Sequence, residues 1–353
     1  VDWAVSLAEV AEGEMQGPEQ SSAVRILTLE QDNLRAAFEL AAAEPDPVPG
    51  LRLAGALAQY WLLKGQLSDG RSYLERALSD RRDSRAVAVR AKALEGVALL
   101  SRQQCDYVTA RAAAGEALAL RRDLGDQRGL AAGLRHLGNI ADEEGDFAAA
   151  REHYFASLAE YRALGEDWGI AAVTNNLGIS AFHQGDYAIA RPALEDSLAA
   201  FRELGEAWAE GVTLHNLGNL LYEVGDLDGA ADLQRQSLAI AEQLDDLPGI
   251  AAALTSLGYI VGRQGDIEQA KGHYARAWPL LAMVGDRQGV AEWLESVAEL
   301  SQRGHDARAA TVLLGAADEL RARVGCPLPP KEREDHAALI EALRTALGAA
   351  GFA

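Results

Sequence analysis

Two cysteines in 353 residues, with no Cys-x-x-Cys pair and no metal-ligand spacing, exclude a disulfide framework and a zinc ribbon. Cys105 and Cys326 read instead as buried or idle thiols in a reducing compartment. No run of 18 or more apolar residues occurs, and no charged-then-apolar leader opens the chain. Neither a membrane span nor a signal peptide is therefore expected, and a cytoplasmic location follows. Proline is scarce at 10 and β-branched residues are thin, while Ala, Leu, Glu and Arg dominate, so the summed propensities favour an all-α chain. Basic residues are in deficit as well, 33 against 53 acidic, which leaves a net charge of −20. That field repels a phosphate backbone, so direct binding of nucleic acid is not expected.

The motifs of common chemistries are missing too. There is no G-x-x-x-x-G-K-[ST] to cradle a nucleotide, no H-E-x-x-H and no G-x-S-x-G elbow. His136, His153, His183, His215, His273, His305 and His336 are scattered without paired spacing. No catalytic, metal or cofactor-binding residue is assigned, and catalysis is not expected.

What is present is a repeat. Leu-Gly occurs at Leu137-Gly138, Leu177-Gly178, Leu217-Gly218 and Leu257-Gly258, and Gly-Asp at Gly145-Asp146, Gly185-Asp186, Gly225-Asp226 and Gly265-Asp266. Both pairs recur every 40 residues. Weaker copies extend the frame to Leu57-Ala58 with Gly65-Gln66, to Val97-Ala98 with Cys105-Asp106, and to Val297-Ala298 with His305-Asp306, making seven units. Gly185 suits the left-handed residue past a helix end, and Asp186 suits the cap of the next helix. A second stop closes each unit, as at Leu204-Gly205-Glu206 and Val284-Gly285-Asp286, so each unit is an antiparallel helix pair. A mid-helix Gly costs about 1 kcal/mol against Ala. The return of Gly178 at one register thus implies a partner helix too close for a side chain, with Ala150, Ala190, Ala230 and Ala270 doing the same on the second helices. Pro192 and Pro279 fall inside second helices, where local bends are expected.

The set Leu177, Gly178, Gly185, Asp186, Tyr187, Ala190, Leu194, Ser197 and Leu198 resembles the tetratricopeptide repeat, in the 40-residue form found in kinesin light chains and bacterial regulators. Gln234 at a large apolar position, and Cys105 and His305 in place of the turn Gly, depart from that pattern. The resemblance implies a right-handed α-α superhelix of about seven helix pairs over residues 49–310, with a helical lead-in at 1–48 and a helical cap at 311–353. Each pair is expected to touch only its neighbours, giving a springy rod. The ends carry a second resemblance. Leu29-Glu30-Gln31-Asp32-Asn33-Leu34-Arg35-Ala36-Ala37 looks like the junction of bacterial STAND-type ATPase regulators with their helical repeats. Leu313 to Leu320, followed by Gly325 and Leu328-Pro329-Pro330, resembles the close of the repeat region in LuxR-type and MalT-like regulators. It implies upstream nucleotide-binding and winged-helix domains as partners, in keeping with a chain that opens on Val1.

First helices line the concave wall in this family, and side chains at fixed offsets from each Leu-Gly face the groove. Those offsets hold Arg135, Asn175 and His215; His136, Asn176, Asn216 and Ser256; Asn139, Asn219 and Tyr259; then Phe182 and Tyr222, and His183 and Arg263. Asn both donates and accepts, so a ladder of them suits the backbone of an extended peptide. Two readings of the ladder stand, since the same amides can bond between neighbouring helices, and Phe182 and Tyr222 can pack between repeats. The two Lys of a carboxylate-clamp groove are absent from these positions. The functional expectation is a protein- or peptide-binding module, the sensor or arm of a STAND-type regulator. The alternatives are a free scaffold, a sensor of a small inducer, or an enzyme of unrecognised chemistry.

Overall fold

The computed structural model describes residues 1–15, 19–79, 86–284, 286–324, 328 and 332–352, and among them every regular element is a helix. Cys326, Gly285, Gly325, Pro329 and Pro330 lie outside the described residues. Three lead-in helices come first: α1 (Asp2–Glu14), α2 (Gln20–Leu29) and α3 (Gln31–Ala43). Seven pairs follow. They are α4 (Val48–Leu63) with α5 (Leu67–Leu78), α6 (Val87–Gln103) with α7 (Tyr107–Asp123), and α8 (Gln127–Glu143) with α9 (Phe147–Leu164). Next come α10 (Asp167–His183) with α11 (Tyr187–Leu204), and α12 (Ala207–Glu223) with α13 (Leu227–Leu244). The last are α14 (Leu247–Arg263) with α15 (Ile267–Val284), and α16 (Arg287–Arg303) with α17 (Ala307–Val324). The chain ends in α18 (Arg333–Phe352). The boundary drawn at 310/311 falls inside α17, which pairs with α16.

The punctuation has the geometry its chemistry demands. Gly185 sits at φ 78°, and the Oδ1 of Asp186 accepts the Ile189 amide at 3.3 Å. Cys105 and His305 take the same left-handed conformation, at φ 58° and 64°, so the turn survives the loss of Gly there at a strain of about 1 kcal/mol each. At the second junction the acids divide by length. Asp126, Asp246 and Asp286 cap the amides of Gly129, Gly249 and Gly289, whereas the longer Glu166 and Glu206 make no side-chain cap. Helices α11 and α15 run on through Pro192 and Pro279.

The repeated glycines mark the tightest helix contacts. A Cβ on Gly138 would lie 2.5 Å from the Tyr154 ring, one on Gly258 2.7 Å from the Tyr274 ring, and one on Gly178 2.9 Å from Leu194 Cγ. Ala150, Ala190, Ala230 and Ala270 are fully buried on the facing helices. Each first helix also packs on the first helix of the next pair, which stacks the pairs into a superhelix.

The rod is not a simple spring. Helix α4 touches α14, and α2 touches α13, across the axis of the superhelix. Lys64 pairs with Asp245, Gly65 is pressed on Val284 so closely that a Cβ would meet its Cγ2 at 2.5 Å, and the Trp208 amide donates to Gln20 Oε1 at 3.0 Å. Gln103 reaches Asp286 in the same way. The buried Val284 belongs to the same apolar cluster as α1 to α7. The expectation of contacts between neighbours alone is thereby corrected: the twist accumulated over five pairs brings the array back onto its own beginning, while the lead-in packs mainly on α4.

Candidate ligand cavity

The turn borders a half-open cavity of about 720 Å³, walled by α4, α6, α8, α10 and α12 and floored by Met15 and Gln20 of the lead-in. Of the residues singled out in the sequence, Arg135, His136, Asn139, Asn175, Asn176, His183 and Asn216 line it. The wall is strongly charged, yet most charges are paired. Arg121 forks onto Glu95 at 2.8 and 2.9 Å and reaches Asp126 at 2.9 Å; Arg102 pairs with Glu143, Lys92 with Glu12, and Arg128 with Glu166.

The exceptions cluster. Six buried side-chain atoms without a hydrogen-bond partner among the described residues belong to this lining: Arg102 Nε, Arg135 Nε, Asp142 Oδ1, Trp168 Nε1, Asn175 Oδ1 and Asn216 Nδ2. A buried polar group left unbonded costs about 1–3 kcal/mol. Six such atoms around one cavity depart from the rule that buried polar groups are bonded. Arg135 makes no ion pair or hydrogen bond among the described residues; its guanidinium lies over the Trp168 ring, 5.3 Å from the centroid. Burial holds the neighbouring His136 imidazole well below its ordinary pKa, and the positive charges of Arg135 and Arg102 lower it further. It is neutral at physiological pH. Burial raises Glu143 despite Arg102 beside it.

Asn139 and Asn176 are partly spent on each other. Asn176 Nδ2 donates to Asn139 Oδ1 at 2.6 Å, and the same oxygen accepts the Tyr154 hydroxyl at 3.0 Å. His183 Nδ1 meets Asp142 Oδ2 at 2.8 Å.

The next unit along turns its polar residues inward. Gln234, fully buried, donates to the His215 carbonyl at 3.0 Å and to Asn219 Oδ1 at 2.8 Å, while its Oε1 meets His215 Nδ1 at 2.9 Å. Asn219 Nδ2 reaches His215 Nε2 at 3.1 Å, and Ser256 donates to Asn219 Oδ1 at 3.2 Å. Burial lowers the pKa of His215, against the hydrogen bond that its Nδ1–H donates to Gln234 Oε1. The departure of Gln234 from the repeat pattern thus has a physical cause, since it satisfies His215 and Asn219. Those two residues and Ser256 lie outside the cavity lining.

Phe182, Tyr222, Tyr259 and Arg263 are not brought to the cavity either. Phe182 packs beside Tyr187, centroids 6.0 Å apart; Tyr222 packs on Tyr259 with centroids 4.8 Å apart and rings tilted by 46°, with Arg263 over the Tyr222 ring and bonded to Glu299 at 3.2 Å. His183 and His215, on the adjacent first helices α10 and α12, are engaged with different partners.

Sequence reasoning missed Asp142, Trp168 and Arg102. Asp142 had a signal, because it stands four residues after Gly138, the offset that selected Phe182 and Tyr222. Trp168 and Trp208 recur 40 residues apart, which marks them as part of the frame. Arg102 had the same signal as Asp142, standing four residues after Ala98, the counterpart of Gly138 in the weaker copy Val97-Ala98. Among the described residues no group of three or more His, Cys, Asp or Glu could hold a metal, and no helix is long and apolar enough to cross a membrane.

With this geometry in place, similarity can be stated. Residues 169–243 and 209–281 match the tetratricopeptide repeat family model, so the middle of the chain carries tetratricopeptide repeats. The whole fold is similar to a Rap protein solved with competence and sporulation factor, at TM-score 0.62 and 15% identity over 92% of this chain and 98% of that one. It is also similar to the Rap conjugation gene regulator of plasmid pLS20 in complex with the Phr* peptide, at TM-score 0.65 and 16% identity over 79% and 76% of the two chains. A third likeness is to the Cut9–Hcn1 hetero-tetramer of the APC/C, at TM-score 0.52 and 20% identity over 74% and 46%. At these identities the likeness is one of fold. No curated protein sequence matches the chain.

Proposed function

We propose that the chain is a non-catalytic binding module that holds a peptide in the cavity lined by its tetratricopeptide helix pairs. The observation that carries this reading is the set of six unbonded polar atoms gathered around one cavity of about 720 Å³. That volume falls in the range of small-ligand sites, about 300–1,000 Å³, and is far too small for a folded domain. An extended peptide supplies N–H and C=O groups at every residue and so meets donors such as Asn216 Nδ2 and acceptors such as Asn175 Oδ1 together. Two of the similar folds were solved with a factor or peptide bound, which supports the same choice of ligand.

The same volume favours a small inducer as second reading over a scaffold for whole proteins. At the level of the parent protein, the proposal is the sensor arm of a STAND-type signalling ATPase or transcriptional regulator. Its support is the resemblance of Leu29 to Ala37 and of Leu313 to Leu320 to the ends of such repeat regions. Residues 1–48 then form the junction to upstream domains.

The test pairs binding with folding. Asn175→Ala combined with Asn216→Ala is expected to leave helicity by circular dichroism unchanged and to weaken retention of peptides from a tetrapeptide library at least tenfold. Equal retention by wild type and double variant would remove the cavity as the site.

A further inference from the structure

The unbonded atoms at the cavity differ in sign along a single helix. Arg135 and Asp142 stand seven residues apart on α8, two turns along one stripe, which places them about 10 Å apart at 1.5 Å per residue. At one end the Arg135 guanidinium has no anionic partner among the described residues and lies on the Trp168 ring, whose Nε1 is likewise unbonded. At the other, Asp142 is 5% exposed, with one carboxylate oxygen on His183 and the other unbonded. The remaining charges of the wall do not compensate these two, because Arg102, Arg121, Arg128 and Lys92 already hold carboxylates.

An uncompensated guanidinium facing a cavity is matched by an oxyanion, which it binds in a planar fork. An uncompensated carboxylate oxygen calls for a cationic nitrogen donor. Building on the peptide reading above, we propose that the ligand is bipolar: a carboxylate held by Arg135 and Trp168, and an ammonium or guanidinium held by Asp142, two turns or about 10 Å further along α8. Three extended residues span that distance, at about 3.3–3.6 Å each. The two charges can come from the free termini of a very short peptide or from acidic and basic side chains three positions apart. The absence of a paired-lysine clamp fits a site that reads one carboxylate with one arginine.

The experiment uses the full chain and three tetrapeptide libraries: free termini, both ends capped, and both ends capped without Asp, Glu, Lys or Arg. Peptides that co-elute with the protein are identified by mass spectrometry, and affinities follow from quenching of tryptophan fluorescence. The capped library without charges is expected to give no retained peptide. Retention from the free library alone assigns the charges to termini, and retention of capped peptides bearing both signs assigns them to side chains. Arg135→Gln is expected to abolish the preference for a carboxylate, and Asp142→Asn the preference for a cation, each by tenfold or more at unchanged helicity. Retention of capped uncharged peptides as strong as that of the others would overturn bipolar recognition and leave the peptide reading standing. No retention from any library would overturn both.

Discussion

Helices α8 and α12 occupy equivalent places two units apart, and they solve the same polar problem in opposite ways. In α12, His215 and Asn219 are tied to Gln234 and Ser256 in a closed network. In α8, Arg135 at the offset of His215 has no such partner, and Asp142 is only half engaged. The tryptophans repeat the contrast. Trp208 Nε1 donates to Asp246 Oδ2 at 3.0 Å, whereas Trp168 Nε1, 40 residues earlier, donates to nothing among the described residues. One scaffold position therefore serves as core where a neighbour supplies the complement, and as a receptive wall where none does. The lesson is that repeat register locates a face, while hydrogen-bond satisfaction decides whether the face is available.

The largest expected effect tests the frame that both helices share. Gly178→Leu forces a side chain against Leu194 and is expected to cost about 3 kcal/mol or more, while Asn176→Ala on the same helix costs less than about 1. Equal losses in urea denaturation would contradict the register itself.

A second prediction uses the satisfied tryptophan. Burial holds Asp246 up at about 6, against the opposing hydrogen bonds from the Gly249 amide and Trp208. An unfolded Asp titrates near 3.9, so between about pH 4 and 6 the folded state binds the extra proton. Stability should climb as pH falls through that window, by on the order of 2 kcal/mol, and stay flat in this contribution above about 6. Asp246→Asn should erase the climb in denaturation midpoints; identical pH profiles for the two proteins would refute the assignment.

The smallest effect is the sharpest. Asn216 and Asn219 are three residues apart on α12, one with an unbonded amide nitrogen and one inside the Gln234 network. Asn219→Ala is expected to cost about 1–2 kcal/mol, and Asn216→Ala less than about 0.5, in thermal melts. A reversed order would dissolve the contrast between wall and core.

The helix pairs were legible in the sequence because their causes are local. Gly185 and Asp186 specify a turn, Gly178 specifies a close approach, and both recur at a fixed interval. The site was half legible. Offsets from Leu-Gly found Arg135, Asn175 and Asn216, yet also selected His215 and Asn219, because nothing at those positions reveals that Gln234 reaches across to engage them. The closure was not legible at all. Lys64 and Asp245 are 181 residues apart, and their meeting depends on a twist summed over many pairs.

That meeting changes how the molecule should come apart. A linear stack can unzip from either tip, one hairpin after another, but here the opening hairpin is latched to the fifth and sixth. With Gly65 seated on Val284 and Gln20 on the Trp208 amide, the leading segment acts as a keystone. Removing it slackens the wall that surrounds Arg135 and Asn175, so a truncation far from the cavity in sequence would be felt there first.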